Sequence, residues 1–288
     1  MDHFESFLQR AEKLLDRFEL LVLPSLLPID WSVALAARWH KSSYGGRLEE
    51  VRFPHQVSLS DLQGIDIQKT RINRNTSQFI QGLPSNNVLL TGARGTGKSS
   101  LIKALLTQYG NHGLRLVEVD KSDLRDLPDI VNIIADLDYR FIIFCDDLSF
   151  EDNDPSYKSL KAVLDGSLGG YAENVLIYAT SNRRHLLPEY MSENLETHHV
   201  NGEIHPGETT EEKISLSERF GLWVPFYPFS QEEYLDIAEY WLKSYGLDLQ
   251  PPEVRSEALR FAMERGSRSG RVAWQFARDF AGRSMLHD

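Results

Sequence analysis

Apolar residues recur at helical spacing over 3–22, where Phe4, Phe7, Leu8, Leu14, Leu15, Phe18 and Leu21 alternate with charges. The pattern predicts an amphipathic helix that Pro24 and Pro28 break. A second helix is expected over 30–43, with Asp30 as N-cap before Trp31, Leu35 and Trp39, and Gly45-Gly46 as its stop. Residues 47–57 have little helical character and read as a connector ending at Phe53-Pro54. Short helices with hydrophobic faces are expected to dock on a core.

From about residue 58 the pattern changes. A polar-faced helix is expected over 65–81, ended by Gly82 and Pro84. Short apolar runs come next as strands: Val88-Leu89-Leu90, then 114–119, 141–144 and 175–179. Helices are expected between them over 98–108 and 129–137. Continuous apolar strands alternating with helices predict a parallel sheet covered on both faces. The polar stretch 189–217 reads as a loop or partly ordered insertion. After Pro228 only helical patterns remain, near 231–245, 252–265 and 269–283. Ser230 and Glu233 have capping-box spacing at the first of them.

Composition narrows the function classes. The 288 residues carry 31 Lys and Arg against 42 Asp and Glu, a net charge of −11, which argues against coating nucleic acid by bulk charge. One cysteine, Cys145, excludes a disulfide framework and a cysteine zinc cluster. The N-terminal residues lack the positive region of a signal peptide, and the stretch Leu20 to Leu27 is too short to span a bilayer. A soluble cytoplasmic protein with no membrane partner is the expectation.

The chemistry concentrates in one segment. Gly92, Ala93, Arg94, Gly95, Thr96, Gly97, Lys98 and Ser99 match G-x-x-x-x-G-K-[ST] at every fixed position, between a predicted strand and a predicted helix. Glycines let the backbone amides turn into an anion cradle, and the helix N-terminus adds favourable partial charge. Lys98 is placed to reach the β- and γ-phosphates and Ser99 to ligate Mg²⁺; Ser100 counts among the nucleotide-binding positions. The strand over 141–144 runs on through Cys145 into Asp146 and Asp147. Asp146 suits a partner of Mg²⁺ through water, and Asp147 a residue that polarises the attacking water, with Glu151 as rival base. Cys145 itself reads as a small buried hydrophobe.

The pattern resembles the AAA+ ATPases and, more closely, a bacterial AAA+ group catalogued as the domain of unknown function family 815, over about residues 50–285. The resemblance rests on several segments in order. Leu59-Ser60-Asp61-Leu62-Gln63-Gly64-Ile65-Asp66 is similar to the segment lining the adenine pocket. Tyr178-Ala179-Thr180-Ser181-Asn182 is similar to the strand ending in the polar sensor, which makes Asn182 the residue that orients water. Ser217-Glu218-Arg219-Phe220-Gly221 resembles the segment of an arginine finger, and Gly266-Ser267-Arg268-Ser269-Gly270-Arg271 the second sensor, with Arg271 preferred and Arg268 the alternate. The resemblance implies an α/β P-loop AAA+ parallel-sheet core over 51–228 and a helical lid over 229–288; the first 45 residues are not explained by it, and their periodicity makes 1–50 an N-terminal helical extension.

It also implies ATP and Mg²⁺ as cofactors, and a homo-oligomer in which Arg219 acts in trans. The expected activity is ATP hydrolysis coupled to remodelling or regulating a protein or nucleic-acid client. The alternatives are a nucleotide-gated scaffold with little hydrolysis and a small-molecule kinase. His198, His199 and His205 lack a nearby cysteine and read as loop residues rather than a metal site. Arg71, Arg74, Arg183 and Arg184 read as solvated or subunit-contact arginines.

Overall fold

Side chains of a β-strand alternate between two faces, so a strand that is apolar throughout must be covered twice. The computed structural model describes residues 28–42, 45–54, 56–150, 156–165, 172–183, 218–249 and 251–286, together with 7, 10–14, 198–200 and 203–205. Its strands are β1 (Ala36–Ser42), β2 (Gly45–Glu50), β3 (Val88–Gly92), β4 (Leu114–Val119), β5 (Arg140–Cys145), β6 (Val175–Ser181), β7 (His198–Val200), β8 (Glu203–His205) and β9 (Leu222–Phe226). Seven of them form one sheet in the order β2-β1-β4-β5-β6-β3-β9. All neighbours in it are parallel except β1 and β2.

The two faces bury different residues of the same strands. Val88, Leu90, Ile142, Phe144 and Tyr178 belong to one core, and Leu89, Phe141, Ile143, Cys145 and Ala179 to the other. Helix α1 (Asp66–Ile80) and α2 (Lys98–Tyr109) cover the first face, whereas α3 (Leu127–Ile134) and α4 (Ser156–Leu164) cover the second. Tyr178 fastens β6 to α1: its hydroxyl accepts from Asn75 Nδ2 at 3.0 Å and pairs with Thr76 Oγ1 at 2.8 Å.

The C-terminal helices α5 (Gln231–Ser244), α6 (Pro252–Glu264) and α7 (Gly270–Met285) pack together, and Tyr234, Ala258 and Phe276 join the first core. The predicted capping box holds, with Glu233 N–H donating to Ser230 Oγ at 3.2 Å and Ser230 N–H to Glu233 at 2.7 Å. Among the described residues no helix is long and apolar enough to cross a membrane.

Two expectations about the N-terminal part are corrected. Over the described part of the predicted helix, 30–42, no helix forms. Asp30 does cap a turn, accepting from Ser32 N–H at 3.0 Å, but the turn ends after residue 33 and β1 begins at Ala36. Nor are residues 47–57 simply a connector, because β2 pairs antiparallel with β1. The reason is tertiary. Ala37 and Trp39 are buried while Arg38 and His40 are exposed, a period of two that lets β1 extend the sheet beside β4. Trp39 Nε1 donates to Asp126 at 3.1 Å, and Lys41 Nζ donates to the same carboxylate at 2.9 Å.

Buried Arg115 ties residue 31 to the sheet. Its guanidinium donates to the carbonyls of Trp31, Gly110 and Leu114, each at 2.8 Å, and stacks 4.2 Å from the Tyr139 ring. Of the predicted helix over 3–22, residues 7 and 10–14 are described; they are helical, and Phe7 and Leu14 are exposed.

Two further elements escaped the sequence pattern, α4 and the edge strand β9. Pro225 is tolerated in β9 because one side of the strand faces no partner strand among the described residues. Gln68 Nε2 and Arg71 Nη2 of α1 donate to the Pro225 and Trp223 carbonyls at 3.1 and 3.2 Å, so Arg71 serves the fold. Within 189–217, β7 and β8 form a small antiparallel pair.

Gly46 tests the hairpin. A Cβ there would stand 1.7 Å from Trp39 Cζ2, and the buried ring has no free direction to retreat. Gly46→Ala is expected to cost about 1–3 kcal/mol in chemical denaturation. In an unpaired connector the same change would be neutral or mildly stabilising.

Candidate functional site

Parallel register sets which residues meet. Thr91 of β3 is level with Ser181 of β6, and Cys145 of β5 with Ala179 of β6. The glycine loop, the Asp146-Asp147 pair and Asn182 therefore leave the sheet side by side at its carboxyl edge. Gly92 has φ 129°, and a Cβ on it would lie 1.8 Å from the Phe226 carbonyl oxygen, so only glycine lets the chain turn this close to β9. The loop then delivers Lys98 as the first residue of α2, with Leu101 N–H donating to Gly97 O at 2.8 Å.

Lys98 is 6% exposed. Its ammonium donates to the carbonyls of Gly92 and Ala93, both at 2.7 Å, and to Asn182 Oδ1 at 3.0 Å. Burial pushes its pKa below the ordinary lysine value; the Asp146 and Asp147 carboxylates pull the other way, and Arg94 adds to the lowering.

One oxygen organises the acidic side. Asp146 Oδ1 accepts from Ser99 Oγ at 2.6 Å, from Thr180 Oγ1, and from Asp147 N–H at 3.2 Å. Asp147 N–H also donates to Thr180 Oγ1 at 2.9 Å. The Asp147 carboxylate accepts from Asn182 Nδ2 and lies 3.7 Å from the Arg94 guanidinium. Asp147 has φ 52°, the one non-glycine residue with positive φ among the described residues. Aspartate enters this region more readily than most residues.

The C-terminal helices reach the same loop. Ser269 caps α7, accepting from Val272 N–H at 3.3 Å. A Cβ on Gly95, whose φ is 73°, would sit 2.8 Å from Ser269 Oγ and 3.6 Å from Arg271 Cβ. Arg271 therefore stands beside the loop, and Arg268 lines an adjoining cleft of about 660 Å³ with Arg94, Thr96, Phe229 and Met263. The segment from Leu59 to Asp66 also comes here: Ile65 Cδ1 approaches Gly97, Gly64 lies under the Phe229 ring, and Tyr240 Oη donates to Asp61 at 2.8 Å.

Arg219 is elsewhere. It precedes β9, whose Leu222 is level with Val88 at the start of β3, so it lies at the amino edge of the sheet. The five residues of β3, at about 3.3 Å each, put roughly 15 Å of strand between that edge and the loop. Its Nε donates to Asp165, just past α4. Cys145 is buried, its thiol pushed up to about 12 by that burial, which fits packing rather than nucleophilic chemistry. Glu151, Arg184, Ser217 and the side chains of His198, His199 and His205 lie outside the described residues.

Sequence reasoning did not single out Thr180, Asp165 or Ser269 as site-building residues. Ser269 carried an N-cap signal before Gly270; Thr180 and Asp165 carried none, since their partners are 33 or more residues away.

The family model described as a protein of unknown function, DUF815, matches residues 32–284. The chain belongs to the DUF815 family. None of the curated proteins matches this DUF815 chain. Among solved structures, the Aeropyrum pernix ORC1 protein in complex with DNA is similar at 17% identity and a TM-score of 0.54, over 79% of this chain and 62% of that one. A Thermotoga maritima RuvB mutant is similar at 15% identity and a TM-score of 0.49, over 77% and 64%. The DUF815 chain thus spans less than two thirds of the length of either. The likeness is one of fold: the DUF815 chain has the parallel-sheet AAA+ P-loop fold that its sequence led us to expect.

Lys98 provides a stability test. A desolvated ammonium opposes folding wherever it stays charged in the native state. Because its folded pKa is depressed, native stability rises as pH climbs through that pKa towards the ordinary lysine value. Lys98→Met is expected to raise the unfolding free energy at pH 7 by roughly 0.5–2 kcal/mol. Urea denaturation at pH 7 and pH 10 should show the advantage shrinking at the higher pH.

Proposed function

We propose that this protein is a Mg²⁺-dependent ATPase in which the sheet core binds the nucleotide and residues 229–288 act as a lid. The observation that carries the reading is the convergence on one edge of Lys98, of the Ser99–Asp146 pair at 2.6 Å, and of Asn182 bridging Lys98 to Asp147. The residues fit a magnesium triphosphate. Left-handed glycines 95 and 97 open the loop, and the serine and carboxylate oxygens are the hard donors that Mg²⁺ takes. When bound, the metal supplies Lewis-acid polarisation of phosphoryl oxygens.

In this reading Gly92 through Ser100 cradle the phosphates, and Lys98 exchanges its loop carbonyls for phosphate oxygens. Ser99 and Asp146 hold the metal. Asp147 accepts the proton of the attacking water, and Asn182 orients that water. Arg271 or Arg268 brings the lid to the phosphates, so that turnover moves the lid against the core. Arg219 lies on the far edge of its own sheet, which supports a role at the site of a neighbouring copy in a homo-oligomer.

The client is a protein or a nucleic acid. The Aeropyrum pernix ORC1 structure is a DNA complex, so duplex DNA is a first candidate to add. A second reading, a nucleotide-gated scaffold with little hydrolysis, is favoured by the hold that Asn182 and Arg94 keep on the Asp147 carboxylate. Steady-state phosphate release with and without DNA separates the two.

Calorimetry with ATP and Mg²⁺ should give saturable binding that Lys98→Met abolishes; equal binding by both proteins would refute the phosphate-loop reading. Asp147→Asn should bind ATP as the native protein does, with turnover reduced about 10²–10⁴-fold. Arg219→Ala should also bind and fail to turn over, and mixing it with Lys98→Met subunits should recover part of the activity. Absence of recovery in mixed assemblies would count against the assignment of Arg219 to a neighbour's site.

A further inference from the structure

The left-handed backbone at Asp147 needs a cause, because a non-glycine residue holds such a conformation only where its surroundings over-determine it. The described contacts supply one. Thr180 is 1% exposed, one residue before the carboxyl end of β6. Its hydroxyl has one hydrogen to give and lone pairs to receive, and both capacities are used. It donates to Asp146 Oδ1 and accepts from Asp147 N–H at 2.9 Å. Its carbonyl accepts from Leu148 N–H at 2.6 Å. One residue of β6 thus grips the chain at 146, 147 and 148 in succession. Between those grips the backbone turns to φ 52°, and the turn aims the Asp147 carboxylate at Asn182.

We propose that Thr180 is a positioning residue for turnover: its hydroxyl fixes the left-handed turn at Asp147 and thereby sets where the proton-accepting carboxylate stands. The inference rests on the reading of Asp147 as base. Thr180 touches neither phosphate loop nor water in this role; it acts through the peptide of 147. Asp146 keeps two other donors, Ser99 Oγ and Asp147 N–H, so its hold on the metal depends less on the threonine. The effect therefore falls on the chemical step rather than on binding. Valine matches threonine in shape but offers a methyl group to the Asp147 N–H, whereas serine keeps the hydroxyl.

The test uses full-length Thr180→Val and Thr180→Ser, measured for ATP affinity by calorimetry, for kcat and KM by phosphate release, and for the backbone at 147 by crystallography. Thr180→Val should keep its ATP Kd and KM within threefold, lose at least tenfold in kcat, and move Asp147 out of positive φ. Thr180→Ser should restore kcat to within threefold and keep Asp147 left-handed. An Asp147 that stays at positive φ in the valine variant overturns the inference whatever the turnover. So does unchanged kcat with a moved Asp147, or an equal loss in the serine variant. If the valine variant does not fold, the serine variant decides: loss of turnover or of the left-handed turn in it overturns the proposal. Unchanged kcat in Asp147→Asn marks failure of the base assignment, and removes with it the link from Thr180 to turnover. Loss in Asp147→Asn without loss in Thr180→Val marks failure of the Thr180 inference alone.

Discussion

Because β3, β5 and β6 run parallel, their carboxyl ends must lie at one edge, and the whole site depends on that constraint. Each strand contributes residues at or just beyond its carboxyl end: a loop and Lys98, two carboxylates, a threonine and an asparagine. β6 lies between the other two, so Asn182 reaches both the lysine side and the acid side, and Thr180 the acid side. The same constraint sends Arg219, which precedes its strand, to the other edge. Sidedness within this molecule is a result of strand direction alone.

The electrostatics of the site are arranged at some expense to the fold. A lysine ammonium is held out of water by two carbonyls and one amide oxygen, with no carboxylate in direct contact among the described residues, and its pKa falls accordingly. On the other side a single Asp146 oxygen takes three donors. The ammonium has all three of its N–H donors engaged, yet it is cut off from water, while the acidic side crowds three donors onto one oxygen. A desolvated cation set against clustered carboxylates is the kind of perturbed environment that gathers at functional sites.

Much of this was legible in the sequence because it is short in range. The glycine loop is eight consecutive residues, and the strand-plus-aspartates signal is seven, so neither needs a distant partner to be recognised. What was missed depends on distance along the chain. Ala37-Arg38-Trp39-His40 alternates like a strand, but the competing helical spacing of Trp31, Leu35 and Trp39 is resolved only by β4, some 80 residues on. β9 was hidden because Pro225 argues against a strand until the edge position is known. The turn at Asp147 had no local signature beyond the aspartate itself, since Thr180 grips it from 33 residues away.

Arg115 carries a consequence for the amino-terminal side of the molecule. A guanidinium does not shed its proton at any ordinary pH, so inside the protein it must be solvated by the chain itself. Two of its three carbonyls come from residues 110 and 114, and the third from Trp31. Any shortening of the polypeptide past that tryptophan would strip a permanent cation of one of its acceptors and of the indole packed edge-on against Phe141. The stretch around residue 31 is in this sense internal solvent for the sheet, and the smallest autonomous version of this protein has to begin ahead of it.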